Sequence, residues 1–375
     1  MRIATQRLRI AAAEMLSAAK LARRAGAWRF VVALALCAMP FAAVCQENDR
    51  AVRAWAAERA DDRDLTQRAY LWRLAERLGH NGGPREFALA AHVRAMAGVR
   101  DFRLVGGLRL IDAKTQRWLD DAERMGRDDP VVQILLMHRF SAADPVDRRL
   151  DAIRRWRDID SDNLAPLLAN ISAYDGSTID ESLASARSTM RADFYFDDIV
   201  RPLIQAVRDE PPPAALLATM SSLEIDAPDA LGAEIGSTIW SVSANVAFAP
   251  LTRACRDEAL NATPRRRADC RHAARVLSDD ADTLLARGIG LSMRMRTAVG
   301  ERELRDAAIA YRRHHWVLQQ RATLTRRDPV DEARMFARML LENTDLTEVE
   351  LVERMLIDAG VRLEPTPGWV PPLLR

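Results

Sequence analysis

From residue 64 onward, apolar side chains recur at three- and four-residue steps, the spacing that lines them up on one face of an α-helix. In 64–79, Leu71, Leu74, Ala75 and Leu78 share a face, while Arg73, Glu76 and Arg77 fall off it. In 145–158 the stripe is Val146, Leu150, Ile153 and Trp156, with Arg148, Arg149, Asp151, Arg154 and Arg155 on the wet side. Val349, Val352, Leu356 and Ala359 repeat the pattern in 348–359. Strand-like alternation bounded by hairpin turns does not occur. The pattern predicts an all-α chain.

Helix starts carry one recurrent device. Asp129-Pro130, Asp144-Pro145 and Asp328-Pro329 each set a capping carboxylate before a proline at the first helical position. Thr178 with Glu181, and Thr347 with Glu350, have capping-box spacing. Stops are expected at His80-Asn81-Gly82-Gly83, Asp175-Gly176 and Gly360. This punctuation implies helices of roughly 10–18 residues with short connections, the make-up of antiparallel helical hairpins.

The stretch Trp156-Arg157-Asp158-Ile159-Asp160-Ser161-Asp162-Asn163-Leu164-Ala165-Pro166-Leu167-Leu168 resembles a tetratricopeptide-type junction, where a helix ends, an Asp/Asn/Pro linker follows and the next helix begins. Asp129 to Asp162 is thirty-three residues, against about thirty-four for that repeat. The family's Trp-Leu-Gly-Tyr…Ala…Phe…Ala spacing is not reproduced, and the likeness covers roughly 112–208. It implies helical hairpins stacked as an α-solenoid-like superhelix with an interaction surface, and it carries over no catalytic residue.

Pro211-Pro212-Pro213 divides the chain into an N-terminal helical block, 46–210, and a C-terminal one, 214–375. The segment 229–250 is almost free of charge after Glu234 and is expected to run through the middle of its block. Beyond Gly360, Pro365, Pro367, Pro371 and Pro372 predict an extended tail, with Trp369 packed back on the body.

The N-terminus sets the compartment. Phe30 to Val44 is an apolar run of fifteen behind Lys20, Arg23, Arg24 and Arg29, which reads as a signal peptide over 1–45. A membrane span needs about 20 such residues. Ala43 and Cys45 are the small residues expected before a cut, which predicts a periplasmic or secreted chain that meets the membrane only during export. A lipid anchor on Cys45, twin-arginine export through Arg23-Arg24 and an uncleaved signal anchor are the competing readings of this segment. Cleavage would leave two cysteines, Cys255 and Cys270, and in an oxidising compartment such a pair is expected to form a disulfide. Each lies six residues from the turn Asn261–Pro264, so a helical hairpin would bring them face to face. Ala259, Ala273 and Ala274 are small enough for the close approach that a disulfide needs.

Charge then removes one class of partner. Residues 1–45 hold seven basic groups and one acidic group, so 55 basic and 53 acidic groups become 48 and 52, a formal charge of −4. Nucleic acid has no electrostatic support as a partner. Lys20 and Lys114 are the only lysines among the basic residues.

Candidate chemistry is sparse. Asp158, Asp160 and Asp162 open like a calcium loop, but Asn163 stands where glycine is needed and Ala169 where a glutamate is needed. Gly288-Ile289-Gly290 reads as a close helix contact instead of a phosphate loop. At helical spacing Leu304, Ala308, Tyr311, His315 and Leu318 share a stripe, which places His315 in the core and His314 outside it. Glu181-Ser182 resembles the catalytic pair of lytic transglycosylases, but Leu183-Ala184 follows and no Gly-Leu-Met-Gln element lies downstream. No catalytic, cofactor-binding or metal-ligating set emerges, and no cofactor is expected. The sequence therefore points to an exported helical-repeat scaffold that binds a protein or peptide. The alternative is an exported cell-wall hydrolase or lyase whose carboxylates are scattered along the chain.

Overall fold

A computed structural model describes residues 66–97, 112–137, 146–173, 178–214, 216–217, 227–244 and 248–371. The expected signal peptide, Cys45, Asp144-Pro145 and Asp175-Gly176 lie outside them. Contacts divide the chain after Arg63, and every described residue belongs to the second unit, Asp64–Arg375.

Among the described residues the regular structure is helical, with two isolated β-bridges and no strand. The helices are α1 (66–80), α2 (Pro84–Ala97), α3 (Ala113–Met125), α4 (Pro130–Met137), α5 (Val146–Ile159), α6 (Ala165–Ala173), α7 (Ile179–Ser185) and α8 (Phe196–Asp209). They continue as α9 (Pro228–Ser243), α10 (Phe248–Ala254), α11 (Arg266–Asp279), α12 (Leu284–Thr297), α13 (Glu301–Arg327), α14 (Pro329–Glu342) and α15 (Glu348–Asp358).

The expected faces are buried where the helix continues. Leu71, Leu74, Ala75 and Leu78 are buried on α1, as are Ile153 and Trp156 on α5 and Val349, Val352 and Leu356 on α15. Ala359 is exposed, because α15 ends at Asp358 and the stripe ends with it. Asp129 accepts from the Val131 amide at 3.0 Å, Asp328 from the Asp331 amide at 3.0 Å, and Thr347 with Glu350 closes a full capping box. The capping box expected at Thr178 does not form. Its ψ of 16° keeps the hydroxyl from the α7 amides, and that hydroxyl accepts from Asn170 Nδ2 at 3.5 Å instead. Gly82 (φ +76°) and Gly360 (φ +72°) stop α1 and α15 in the left-handed conformation that glycine adopts without a steric penalty. The α13 helix runs for 27 residues, longer than expected, since neither glycine nor proline interrupts 301–327.

Many neighbouring helices in the chain pack on one another: α2 on α3, α4 on α5, α5 on α6, and α11 through α15 each on the next. The α9 helix goes further, touching α8, α2, α4 and α14. In a simple stack of repeats each unit meets only its neighbours. The boundary drawn at 211–213 falls between α8 and α9, which lie against each other. Two glycines make that crossing possible. A Cβ on Gly232 would stand 2.5 Å from Ile204 Cα, and one on Gly236 would stand 2.8 Å from Val200 Cα. Poor in charge after Glu234, α9 can be enclosed in this way at little desolvation cost.

A polar segment ties the stack together. Residues 189–195 run between the α5–α6 junction and the α11–α12 junction, bridged at Asn163–Arg191 and Ala192–Ala281. Asn163 donates to Asp160 and to the Asp193 carbonyl, both at 2.8 Å, and accepts from the Asp193 amide at 3.0 Å. Asp160 also takes Trp156 Nε1 at 3.2 Å, the Tyr195 hydroxyl at 2.8 Å and the Arg191 guanidinium. The buried Asp282 accepts the Phe194 amide at 2.9 Å. Tyr195 turns the chain into α8 with φ 55°, ψ 42°. The tail after α15 is also held, with Trp369 against Trp316 at 5.3 Å and its indole N–H donating to Gln319 at 3.1 Å.

Candidate binding trough

The α11 helix divides its residues sharply. One side is buried: Arg266, Asp269, Cys270, Ala273, Ala274 and Leu277. Even the charged members of that side are committed. Arg266 donates to Asp180 at 2.6 Å and to the Ala254 carbonyl at 3.3 Å, and Asp269 takes both arms of Arg187, at 2.7 and 2.9 Å. The opposite side carries Arg267, Arg271 and Arg275, one helical turn apart and exposed. Beside them α12 ends and α13 begins, and the three elements enclose an open trough of about 700 Å³. Arg294 from α12 completes its cations, while Asp279 and Glu303 are its carboxylates. Pro264, Ala268 and Val299 supply apolar wall.

The electrostatics are unbalanced. Arg271 holds Glu303 through two bonds, at 3.1 and 2.8 Å, and Arg294 donates to Asp279 at 2.6 Å. The Val299 amide and Arg271 together keep Glu303 below the usual carboxylate range. Among the described residues, Arg267 bonds only to Asn261, at 3.4 Å, and Arg275 has no carboxylate partner. Two guanidinium groups therefore face the trough without a counter-charge, which favours an anionic ligand.

The sulfurs of Cys255 and Cys270 lie at bonding distance, with Cα atoms 5.6 Å apart, directly behind this row. The local fold differs from the expected two-armed helical hairpin. Only the Cys270 arm is helical, because α10 stops at Ala254 and 255–265 form a run of turns. The Arg266 guanidinium occupies the Ala254 carbonyl where α10 ends, and Leu260 is drawn into the core.

The other candidates resolve separately. Asp160 is enclosed by protein donors, Asp158 is exposed and Asp162 faces Arg191 at 3.4 Å, so the three do not converge. Among the described residues no group of three metal-ligating side chains could hold an ion. Gly288 and Gly290 are close helix contacts. A Cβ on Gly290 would stand 2.4 Å from the Ser278 amide nitrogen, and one on Gly288 would stand 2.7 Å from His314 Nε2. That contact reverses the expectation for the histidine pair: His314 is buried and His315 half-exposed. The stripe on α13 is Ala307, Tyr311, His314 and Val317, while Leu304 stands 46% exposed, because Gly288 opens a slot for the imidazole. Burial pulls the pKa of His314 down to about 4. Glu181 is exposed on α7. Carboxyl groups do converge at Asp193 and Asp282, both pushed up, by burial first and for Asp282 by Asp193 next. Neither lines the trough.

No family model, curated protein or solved structure matches this chain.

The arginine row was not singled out from the sequence. Its signal was present as arginine at positions 267, 271 and 275, but in a chain with 55 basic residues that spacing is not distinctive until the trough is seen.

Proposed function

We propose that this chain is an exported helical-repeat scaffold that binds another protein or peptide, and that α11, α12 and α13 form its docking face. The observation that supports this most is the open trough with two unopposed arginines. An open, partly apolar surface flanked by arginine has the composition of a protein contact, and arginine is enriched at such contacts. The cysteine pair behind it is compatible with an oxidising compartment, and among the described residues no helix is long and apolar enough to cross a membrane. The convergent acids that a hydrolase would need, Asp193 and Asp282, are engaged with backbone and lie away from the trough.

Site-specific photo-crosslinking tests the reading. A photoreactive residue replacing the exposed Ala268 should yield a defined adduct in the exported fraction, and one replacing the exposed Ile357 should not. Adducts at neither position, together with activity of the purified chain on cell-wall fragments, would overturn it.

A further inference from the structure

A docking face alone does not fix the chemistry of its ligand, but the geometry of the trough narrows it. We propose that the trough takes an extended acidic segment of a protein, with carboxylates at three alternate positions meeting Arg267, Arg271 and Arg275 in turn. The inference rests on the trough being the docking face.

Spacing carries it. Residues four apart on a helix rise about 6 Å, and alternate residues of an extended chain, which point the same way, are about 6.6 Å apart. Three carboxylates on such a chain drift from the arginine row by only about 1 Å in total. A guanidinium on its flexible stem absorbs that and can bind each carboxylate through two parallel N–H donors. Intervening residues point away from the arginine row, as alternate side chains of an extended chain do.

The row also has a length. The next position one turn on is Asp279, which lines the same trough. A fourth carboxylate would meet Asp279, whose pairing with Arg294 leaves no free cation there, so the recognised run is three acids long. Single-stranded nucleic acid fits poorly, because binding it draws on aromatic faces for base stacking, and the one aromatic ring lining the trough, His272, is half-buried and tied to the Thr189 carbonyl at 3.0 Å. A compact polyanion fits poorly as well, because the arginines stand in file along one helix instead of converging on a point.

Exchange of partners gives the site its selectivity. Arg271 and Arg294 are already paired with Glu303 and Asp279, whereas Arg267 and Arg275 have no carboxylate among the described residues. The outer two carboxylates of a ligand therefore gain most, and the middle one competes with Glu303.

Fluorescence anisotropy of labelled peptides on the full exported chain, with its disulfide intact, tests the proposal. The probes are a peptide with aspartate at three alternate positions among alanines, an isomer with the three aspartates adjacent, one with a fourth alternate aspartate, and a poly-dT oligonucleotide. The alternating peptide should bind about tenfold tighter than the clustered isomer, and the fourth aspartate should add nothing. Arg267→Glu with Arg275→Glu should weaken binding at least tenfold, and Arg275→Gln alone should weaken it less, all with unchanged melting temperature. Equal affinity for the two isomers, tighter binding of poly-dT, or indifference to the charge reversals would overturn the acidic-segment assignment. Adducts at position 268 without peptide binding would leave the docking face standing and remove only this ligand class. Absence of adducts there would remove the docking face itself.

Discussion

Asp282 is a carboxyl enclosed by protein, and its environment decides its charge. Burial, then the neighbouring Asp193, disfavours the ionised form, while the Phe194 amide donates to one oxygen. A carboxyl whose pKa is raised in the folded state contributes stability below its unfolded pKa and loses it as pH rises through the folded value. Asp282→Asn keeps the acceptor for Phe194 and supplies a donor toward Asp193 without any charge. We expect it to be at least as stable as the parent at pH 7 and to have a flatter stability–pH curve. Asp282→Ala leaves the Phe194 amide without its partner and should cost about 1–3 kcal/mol. Chemical denaturation at pH 5 and pH 7 distinguishes the two variants, and an Asn variant as damaged as the Ala variant would refute the account. His92 and His314 work in the opposite sense. Burial holds each at about 4, well below an exposed imidazole. The unfolded chain therefore binds more protons below about pH 6.5, and stability falls as pH drops from there toward 4. His314→Gln should reduce the slope of stability against pH in that window by close to one proton. An unchanged slope would show that His314 is not buried in its neutral form.

At the scale of elements, the chain depends on close helix approaches and on one covalent loop. Gly232 lets α9 lie on the α8 backbone, so Gly232→Ala should cost about 1–3 kcal/mol by forcing the helices apart, read as a lower denaturation midpoint at constant slope. The Cys255–Cys270 loop should contribute about 3 kcal/mol in the chain-entropy treatment, so a reducing agent should lower the melting temperature. A melting temperature insensitive to reductant would show that the pair adds no stability. What was legible here followed from local physics. Stripes at Leu71–Leu78 and Val349–Leu356, the carboxylate caps at Asp129 and Asp328, and the glycine stop at Gly360 are all set by residues within two turns of each other. The misses needed tertiary knowledge. His314 is core because Gly288, on another helix, leaves it room. Thr178 misses its capping box because its ψ of 16° turns the hydroxyl away from the α7 amides, toward Asn170 on α6. The run of turns at 255–265 depends on Arg266 reaching back to the Ala254 carbonyl.

Across the described unit, the segment 189–195 and the α9 helix do what sequential stacking alone does not. The first joins the α5–α6 and α11–α12 junctions through backbone bridges and through Asp160, Asn163 and Asp282. The second meets helices from both sides of the Pro211-Pro212-Pro213 break. With the helices joined in this way, α11 is held on its inner side by Arg266–Asp180, Arg187–Asp269 and the cysteine pair, and its arginine row faces outward. A helix already held in place adds no backbone ordering on binding, although each arginine side chain that becomes fixed costs about 0.5–1.5 kcal/mol. The measurement that tests this most directly is amide hydrogen exchange of the protein, alone and saturated with the alternating acidic peptide. Slowed exchange confined to 264–279 and 294–303 is the predicted result. Protection centred elsewhere, or no change on saturation, would contradict it.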